Sequence, residues 1–301
     1  MTPLAVTCGN LPERVDAARE LLRNCVLCPR RCGADRLAGA LGMCGAGAVA
    51  TVASAHPHFG EETPLVGTHG SGTIFFSGCN LRCAFCQNAD ISTRSQPNDA
   101  VSAGELASII LGLQALGCHN INFVSPTHFM PQILQAIAIA AADGLRVPLV
   151  WNCGGYESLD ALRLLDGVVD IYMPDVKYAS AQVAAAISGT PADGDASYPA
   201  ACQAAVREMH RQVGDLQLDE RGIAMRGLLV RHLVLPNGLA GTPQVMAFLA
   251  SLSRDTYVNV MDQYRPCHRA HGDPRISRPI TRQEYATAVQ AARDAGLWRF
   301  A

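Results

Sequence analysis

An alternation that begins at Thr73 and continues to the C-terminus narrows the fold more than any other feature of the chain. Short apolar runs occur at Thr73–Ser77, Ile121–Ser125, Val147–Trp151, Asp170–Pro174, Leu228–Leu235 and Thr256–Met261. Segments with helical spacing separate them: Ala103–Leu116, Pro131–Ala142, Ser158–Leu165, Ala200–Val213 and Pro243–Leu252. A last helical segment, Arg282–Ala295, follows the sixth run. Strands separated by helices of about 10–15 residues indicate βαβ units and a parallel sheet. Right-handed crossovers between parallel strands then curl the sheet toward a barrel. The expected fold is α/β, a partial (β/α)6 TIM-like barrel of parallel strands with an irregular Cys-rich N-terminal extension. The extension is expected over residues 1–66, with one helix near Pro12–Asn24, and the barrel over residues 67–301.

Several of the apolar runs end in polar chemistry: Gly78-Cys79, Ser125 to His128, Asn152, Asp175 and Lys177, Pro236-Asn237, and Asp262 to Arg265. A barrel gathers its site from the loops that follow its strands. These loops are therefore expected to share one site.

Twelve cysteines make metal chemistry the next question, and seven of them fall between Cys25 and Cys86 in two tight groups. The N-terminus lacks a basic segment followed by an apolar run, and no uncharged apolar stretch reaches the roughly 18 residues of a membrane span. The expectation is a soluble cytoplasmic chain, in which clustered cysteines bind metal rather than form disulfides. A formal net charge of −2 leaves no basic footprint, so neither nucleic acid nor membrane is an expected partner.

Cys79, Cys83 and Cys86 are spaced C-x3-C-x2-C in FFSGCNLRCAFCQN. A structural zinc site needs four ligands, and a [4Fe–4S] cluster usually takes four thiolates. Three thiolates leave one iron open to a further ligand. Upstream, Cys25, Cys28, Cys32 and Cys44 form C-x2-C-x3-C-x11-C, which completes either a tetrahedral zinc site or a second [4Fe–4S] cluster. Of 24 basic residues, Lys177 alone is a lysine. Arg and Lys differ in shape and hydration, so a single lysine marks a place where an ammonium is needed.

At this point the chain clearly resembles the radical SAM superfamily, in which the three-cysteine spacing lies in the loop after the first barrel strand. Here that loop follows TIFFS, and Phe85 precedes the third cysteine. The resemblance implies a [4Fe–4S] cluster on Cys79, Cys83 and Cys86 whose free iron binds S-adenosyl-L-methionine. Reductive cleavage of that cofactor yields a 5′-deoxyadenosyl radical that abstracts hydrogen from substrate. Over nearly its whole length the chain is similar to uncharacterised homologues of pyruvate formate-lyase activating enzyme. The residues that carry this are the four-cysteine segment, HPHFGEE, SPTHF, GYESL, LDGVVDIYMPDVKY, VRHLVLPNG and VNVMDQYRP.

The resemblance implies roles for further residues. Asp175 and Lys177 leave a strand end on one face and reach S-adenosylmethionine, and His232 contacts its adenosyl group. Ser125 and Thr127, with His128, stand where many relatives carry Gly-Gly-Glu, and their hydroxyls accept from the cofactor's ammonium. Thr68 to Gly72 resembles a glycine-rich turn before the first strand. Glycyl-radical activases carry an aspartate and an arginine around that turn, where this chain has His69 and Thr73. The first expectation is therefore a radical SAM enzyme acting on a peptide or small molecule, with a flavodoxin- or ferredoxin-type electron donor. A glycyl-radical activase and a zinc-binding structural protein are the alternatives. Asn152 and Gln263–Arg265 are weaker substrate-pocket candidates, and Cys153 lies within reach. His56, His58, Glu61 and Glu62 read as a solvated loop.

Overall fold

A computed structural model describes residues 2–93 and 99–301. Among them are nine strands: β1 (Ala50–His58), β2 (Ser71–Phe76), β3 (Ala100–Val101), β4 (Ile121–Val124), β5 (Leu149–Cys153), β6 (Ile171–Pro174), β7 (Gln217–Leu218), β8 (Ala224–Leu233) and β9 (Tyr257–Met261). Strands β2, β4, β5, β6, β8 and β9 pair in that order and are parallel throughout. These six are the expected runs, each within a few residues of its expected ends. The result is a partial barrel. Among the described residues no strand pairing joins β9 back to β1.

Helices cover the outside of the sheet and begin where the sequence carries start signals. Ser102 and Glu105 form a capping box at the head of Ala103–Ala115, and Thr281 and Glu284 form another before Arg282–Asp294. Pro131, Pro199 and Pro243 occupy the first turns of Met130–Ala142, Tyr198–Val213 and Thr242–Leu252, where a missing N–H costs nothing. The apolar faces of these helices meet the outer face of the sheet. Ile133, Leu134 and Ile137 are fully buried there, and each contributes about 1.5–3 kcal/mol. A smaller inner core fills the barrel itself with Leu65, Val150, Ile171, Met173 and Leu229. Leu65 sits on the short helix Thr63–Val66, which closes the N-terminal end; its carbonyl accepts from Asn120 Nδ2 at 2.8 Å, just before β4.

The region before residue 70 is less irregular than expected. β1 runs antiparallel to β2, from Val52 opposite Phe76 to His58 opposite Ser71, and so joins the upstream segment to the main sheet. β3 and β7 add short antiparallel edges, and the helix Ala181–Ser188 was not expected either. The helix near Pro12–Asn24 is Leu11–Glu20. Between β1 and β9 the gap is spanned by side chains, with Asn259 Nδ2 donating to Glu62 Oε1 at 3.0 Å.

Candidate active site

At the C-terminal ends of the parallel strands lies a cavity of about 410 Å³. Its wall takes Cys79, Cys83 and Cys86 from the loop after β2, Ser125 and Thr127 from the loop after β4, and Asn152 and Cys153 from β5. Asp175 and Lys177 come from the end of β6, Arg231 and Leu233 from β8, and Met261 and Gln263 from β9. The strand-end loops therefore share one space.

Why the three-cysteine loop holds its course is visible in Gly78. Its φ of +82° suits glycine, and a Cβ there would lie 2.7 Å from the carbonyl oxygen of Cys44. Beyond it each thiol meets a polar partner. The Leu81 N–H donates to Cys79 Sγ at 3.4 Å, Ser188 Oγ to Cys83 Sγ at 3.0 Å, and Cys86 Sγ lies 3.2 Å from Ser92 Oγ. Burial pushes the Cys79 thiol up to about 12, helped by the neighbouring Cys83 and Cys86. Burial raises Cys83 as well, against the pull of Lys177. Free thiols so placed stay protonated; only a bound cationic centre makes thiolates of them.

Opposite the thiols stands a charged quartet. Arg231 donates through Nε to Asp175 Oδ1 at 2.8 Å and through Nη2 to Asn152 Oδ1 at 2.7 Å, and its Nη1 lies 3.5 Å from Glu61 Oε2. Lys177 Nζ donates to the other oxygen of Asp175. Glu62 lies near enough to act on Arg231 as well. Burial alone would raise Asp175, but Arg231 and Lys177 outweigh it and hold the carboxyl below its ordinary range. Burial disfavours the Lys177 ammonium, yet Asp175 keeps it charged.

Behind the wall, Thr127 Oγ1 donates to Glu157 Oε1 at 2.6 Å. Glu157 is buried, with the Trp151 indole N–H 3.5 Å from its other oxygen, and burial pushes it up to about 7. Because the Thr127 proton is committed to Glu157, the hydroxyl lone pairs are left for a donor on the cavity side.

Not every expected residue reaches this space. His232 is fully buried and turned away: Val176 O lies 2.6 Å from its Nδ1 and Thr242 Oγ1 2.9 Å from its Nε2. The period-2 alternation of β8 sends Arg231 and Leu233 to the cavity and His232 to the outer core. His128 also leaves the wall; its Nε2 lies 2.8 Å from Ser77 O and its ring lines a second space among the upstream cysteines. Thr68 to Gly72 lies at the opposite end of β2, against His119 and Asn120. Asn237 packs on the last helix, its N–H donating to Glu284 Oε1 at 2.7 Å, and Arg265 is not on the wall. Conversely, His58 and Glu61 belong to the cavity instead of a solvated loop. Arg231 was missed altogether. Its signal is parity: it shares a face with Leu229 and Leu233, so an inward charge at the strand end could have been inferred.

Cys25, Cys28, Cys32 and Cys44 surround the second, much smaller space, which Asn80 also lines. Arg36, fully buried, binds this segment to the barrel by donating to Gly47 O at 2.9 Å and to His128 O at 2.7 Å. Among the described residues no three Cys, His, Asp or Glu side chains are set to hold a single metal ion, and no helix is long and apolar enough to cross a membrane.

Residues 73–197 match the family described as the radical SAM superfamily. The uncharacterized protein MJ0674 of Methanocaldococcus jannaschii is 31% identical over 291 residues, which cover 94% of this chain and 78% of that protein. A crystal structure of a radical SAM methyltransferase from Sphaerobacter thermophilus is similar at 14% identity with a TM-score of 0.42. That match covers 76% of this chain and 65% of the methyltransferase, so the chain spans just under two thirds of that protein's length.

Proposed function

This chain belongs to the radical SAM superfamily, and from that premise we propose that Cys79, Cys83 and Cys86 hold a [4Fe–4S] cluster that binds S-adenosyl-L-methionine. When bound, the pair supplies a 5′-deoxyadenosyl radical able to abstract hydrogen from a peptide or small-molecule substrate, an oxidoreductase-type reaction. The observation that carries the reading is the shared wall: three thiols face one cavity with the chain's single lysine.

The donor set suits the cluster. Each sulfur has a hydrogen-bonding neighbour of its own, Leu81, Ser188 or Ser92, and such bonds help set a cluster's potential. Cys153, on the same wall, associates with Glu157 and takes no part in this group. The remaining wall suits an amino acid sulfonium. Ser125 and Thr127 offer hydroxyl oxygens to its ammonium, the latter oriented by Glu157. Lys177 and Arg231 offer cations to its carboxylate or ribose, with Asp175 holding both in place. The volume accommodates the cofactor and leaves Glu61, His58 and Gln263 for substrate.

The electron source in this reading is a flavodoxin- or ferredoxin-type protein. Residues 1–66 act as a Cys-rich extension, carrying a second cluster or zinc, and 67–301 as the core. The closer kinship to homologues of pyruvate formate-lyase activating enzyme is part of the same proposal. A glycyl-radical activase role has less support, because His69 and Thr73 stand where activases carry their aspartate and arginine.

Anaerobic reconstitution with iron and sulfide, followed by S-adenosylmethionine and dithionite, should release 5′-deoxyadenosine. Cys79→Ala should reduce that release to background. Equal release from the variant would remove the assignment.

A further inference from the structure

Where no strand pairing joins β1 to β9 among the described residues, the active-site cavity reaches into the open side of the barrel. His58 and Phe75 line it from the β1–β2 side, Met261 and Gln263 from β9 and the loop after it, and Glu61 joins them from the loop after β1.

Glu61 is built into this corner, with a side chain only 8% exposed. Arg231 Nη1 lies 3.5 Å from its Oε2, too far for a strong hydrogen bond. No other group among the described residues donates to either oxygen at ordinary geometry. Asn122 lies against the same carboxyl from β4, yet both of its amide atoms are buried without a partner. Next in sequence, Glu62 accepts from Asn259 through Oε1, while its Oε2 is buried and unpartnered. Buried polar atoms left in this way are costly, and here they gather at one side of one cavity.

Charge gives the corner its sign. Asp175, Glu62 and Glu61 all act on Arg231, and Lys177 is the only other Lys or Arg on the wall. Three carboxylates therefore stand against two cations, and Asp175 holds both of those through hydrogen bonds. Burial, with the neighbouring charges of Glu62 and Asp175, raises the Glu61 carboxyl, and Arg231 offsets this only in part. One more cation here relieves that repulsion, whereas an anion adds to it.

The rings beside Glu61 favour the same kind of group. Phe75 and His58 meet edge to face with centroids 5.9 Å apart, and both line the cavity. An aromatic face attracts an organic cation, and its apolar surface covers the alkyl chain that carries one.

We propose that Glu61 is the specificity-determining residue of the substrate pocket and binds an alkylammonium or guanidinium group against Phe75 and His58. The pocket is the one left for substrate in the function proposed above. The reaction that follows binding rests on that reading, whereas the cation site itself does not.

Calorimetric titration of the full chain, reconstituted with iron and sulfide, compares n-butylammonium, n-butanol and butyrate at constant ionic strength. The ammonium should bind at least about tenfold tighter than either of the others. Equal affinities, or a preference for butyrate, overturn the proposal. Nα-acetyl-lysine amide then separates the sources: tighter binding than n-butylammonium identifies a peptide side chain and weaker binding a free amine, and both uphold the cation. Glu61→Gln should weaken the ammonium at least about tenfold and leave the alcohol within about twofold; unchanged ammonium affinity overturns the assignment to Glu61. Phe75→Leu leaves the Glu61–Arg231 pair in place and should lower the ammonium-to-alcohol ratio severalfold, so the test survives if Glu61→Gln does not fold. An unchanged ratio overturns the placement against the rings. Saturating S-adenosylmethionine without reductant should leave ammonium binding intact, and displacement would put the cation in the cofactor's own corner and overturn the site. If the cofactor itself neither binds nor yields 5′-deoxyadenosine, the parent reading fails while a Glu61-dependent preference for the ammonium stands.

Discussion

The two cysteine groups lie back to back and differ in what they face. The group of three opens on a cavity of about 410 Å³, the group of four on a void of about 10 Å³. Around the open group the ionic side chains pair with one another, Asp175 and Glu61 with Arg231 and Lys177. Around the closed group the arginines Arg30 and Arg36 have no carboxylate partner among the described residues and rest on backbone carbonyls. An open wall with mutually paired ions can stay ordered while a cofactor comes and goes, because each charge has a partner in either state. The closed wall has no such internal balance. The difference is one of openness and of charge balance.

The largest effect expected from upsetting this balance comes from Asp175. Replacing it by Asn leaves the Arg231 guanidinium and the Lys177 ammonium facing each other with no carboxylate between them. Breaking a buried pair in this way costs about 3–5 kcal/mol. The thermal unfolding midpoint of Asp175→Asn should fall by several degrees, and the added change Lys177→Met should recover part of the loss. If the double variant melts lower than the single, the quartet does not act as a unit and the contrast between the two walls loses its basis.

A smaller effect is expected at Glu157, the carboxyl felt on both sides. It accepts from Thr127 on the open wall, and its charge adds to the rise of the Cys28 thiol in the closed group. Burial raises its folded pKa from 4.5 to about 7. A raised acid binds its proton more tightly folded than unfolded, so its contribution is fully present below about 4.5 and lost as pH rises through about 7. The loss amounts to about 3 kcal/mol at most. The melting midpoint, followed from pH 5 to 8, should therefore decline more steeply in the unmutated chain than in Glu157→Gln. Parallel curves would mean that Glu157 keeps one charge state throughout.

Much of this layout was legible in the sequence, and what was missed has physical causes. The six parallel strands show because a strand covered on both faces reads as a short apolar run. The three-cysteine loop shows because its spacing is local. β1 was missed because ATVASAHPH has neither an apolar run nor a clean alternation, and its burial pattern is correspondingly mixed. A strand of that kind is decided by its neighbour β2 rather than by its own residues. The closed void could not be read at all, since it depends on Asn80 and His128 arriving from other loops. His232 and Arg231 are the instructive pair: adjacent in sequence, opposite in facing, and separable only by counting alternate positions back from Leu229.

The finest distinction between the two groups is the kind of cation each uses. Arginine serves the closed group, where the Arg36 fork donates at once to Gly47 O and His128 O and lies 3.9 Å from Cys25 Sγ. A planar guanidinium suits that fixed set of acceptors. The open group has Lys177, whose compact ammonium can turn from Asp175 toward an arriving carboxylate without moving the backbone. An arginine at this position would pair with Asp175 through two parallel N–H bonds and project a larger plane toward Cys83. Lys177→Arg should therefore keep the charge, the fold and the iron content while weakening S-adenosylmethionine binding by about tenfold, or about 1.4 kcal/mol. Anaerobic equilibrium dialysis on the reconstituted variant measures this directly. Unchanged affinity would mean that the ammonium is interchangeable here and that the two walls differ in openness alone.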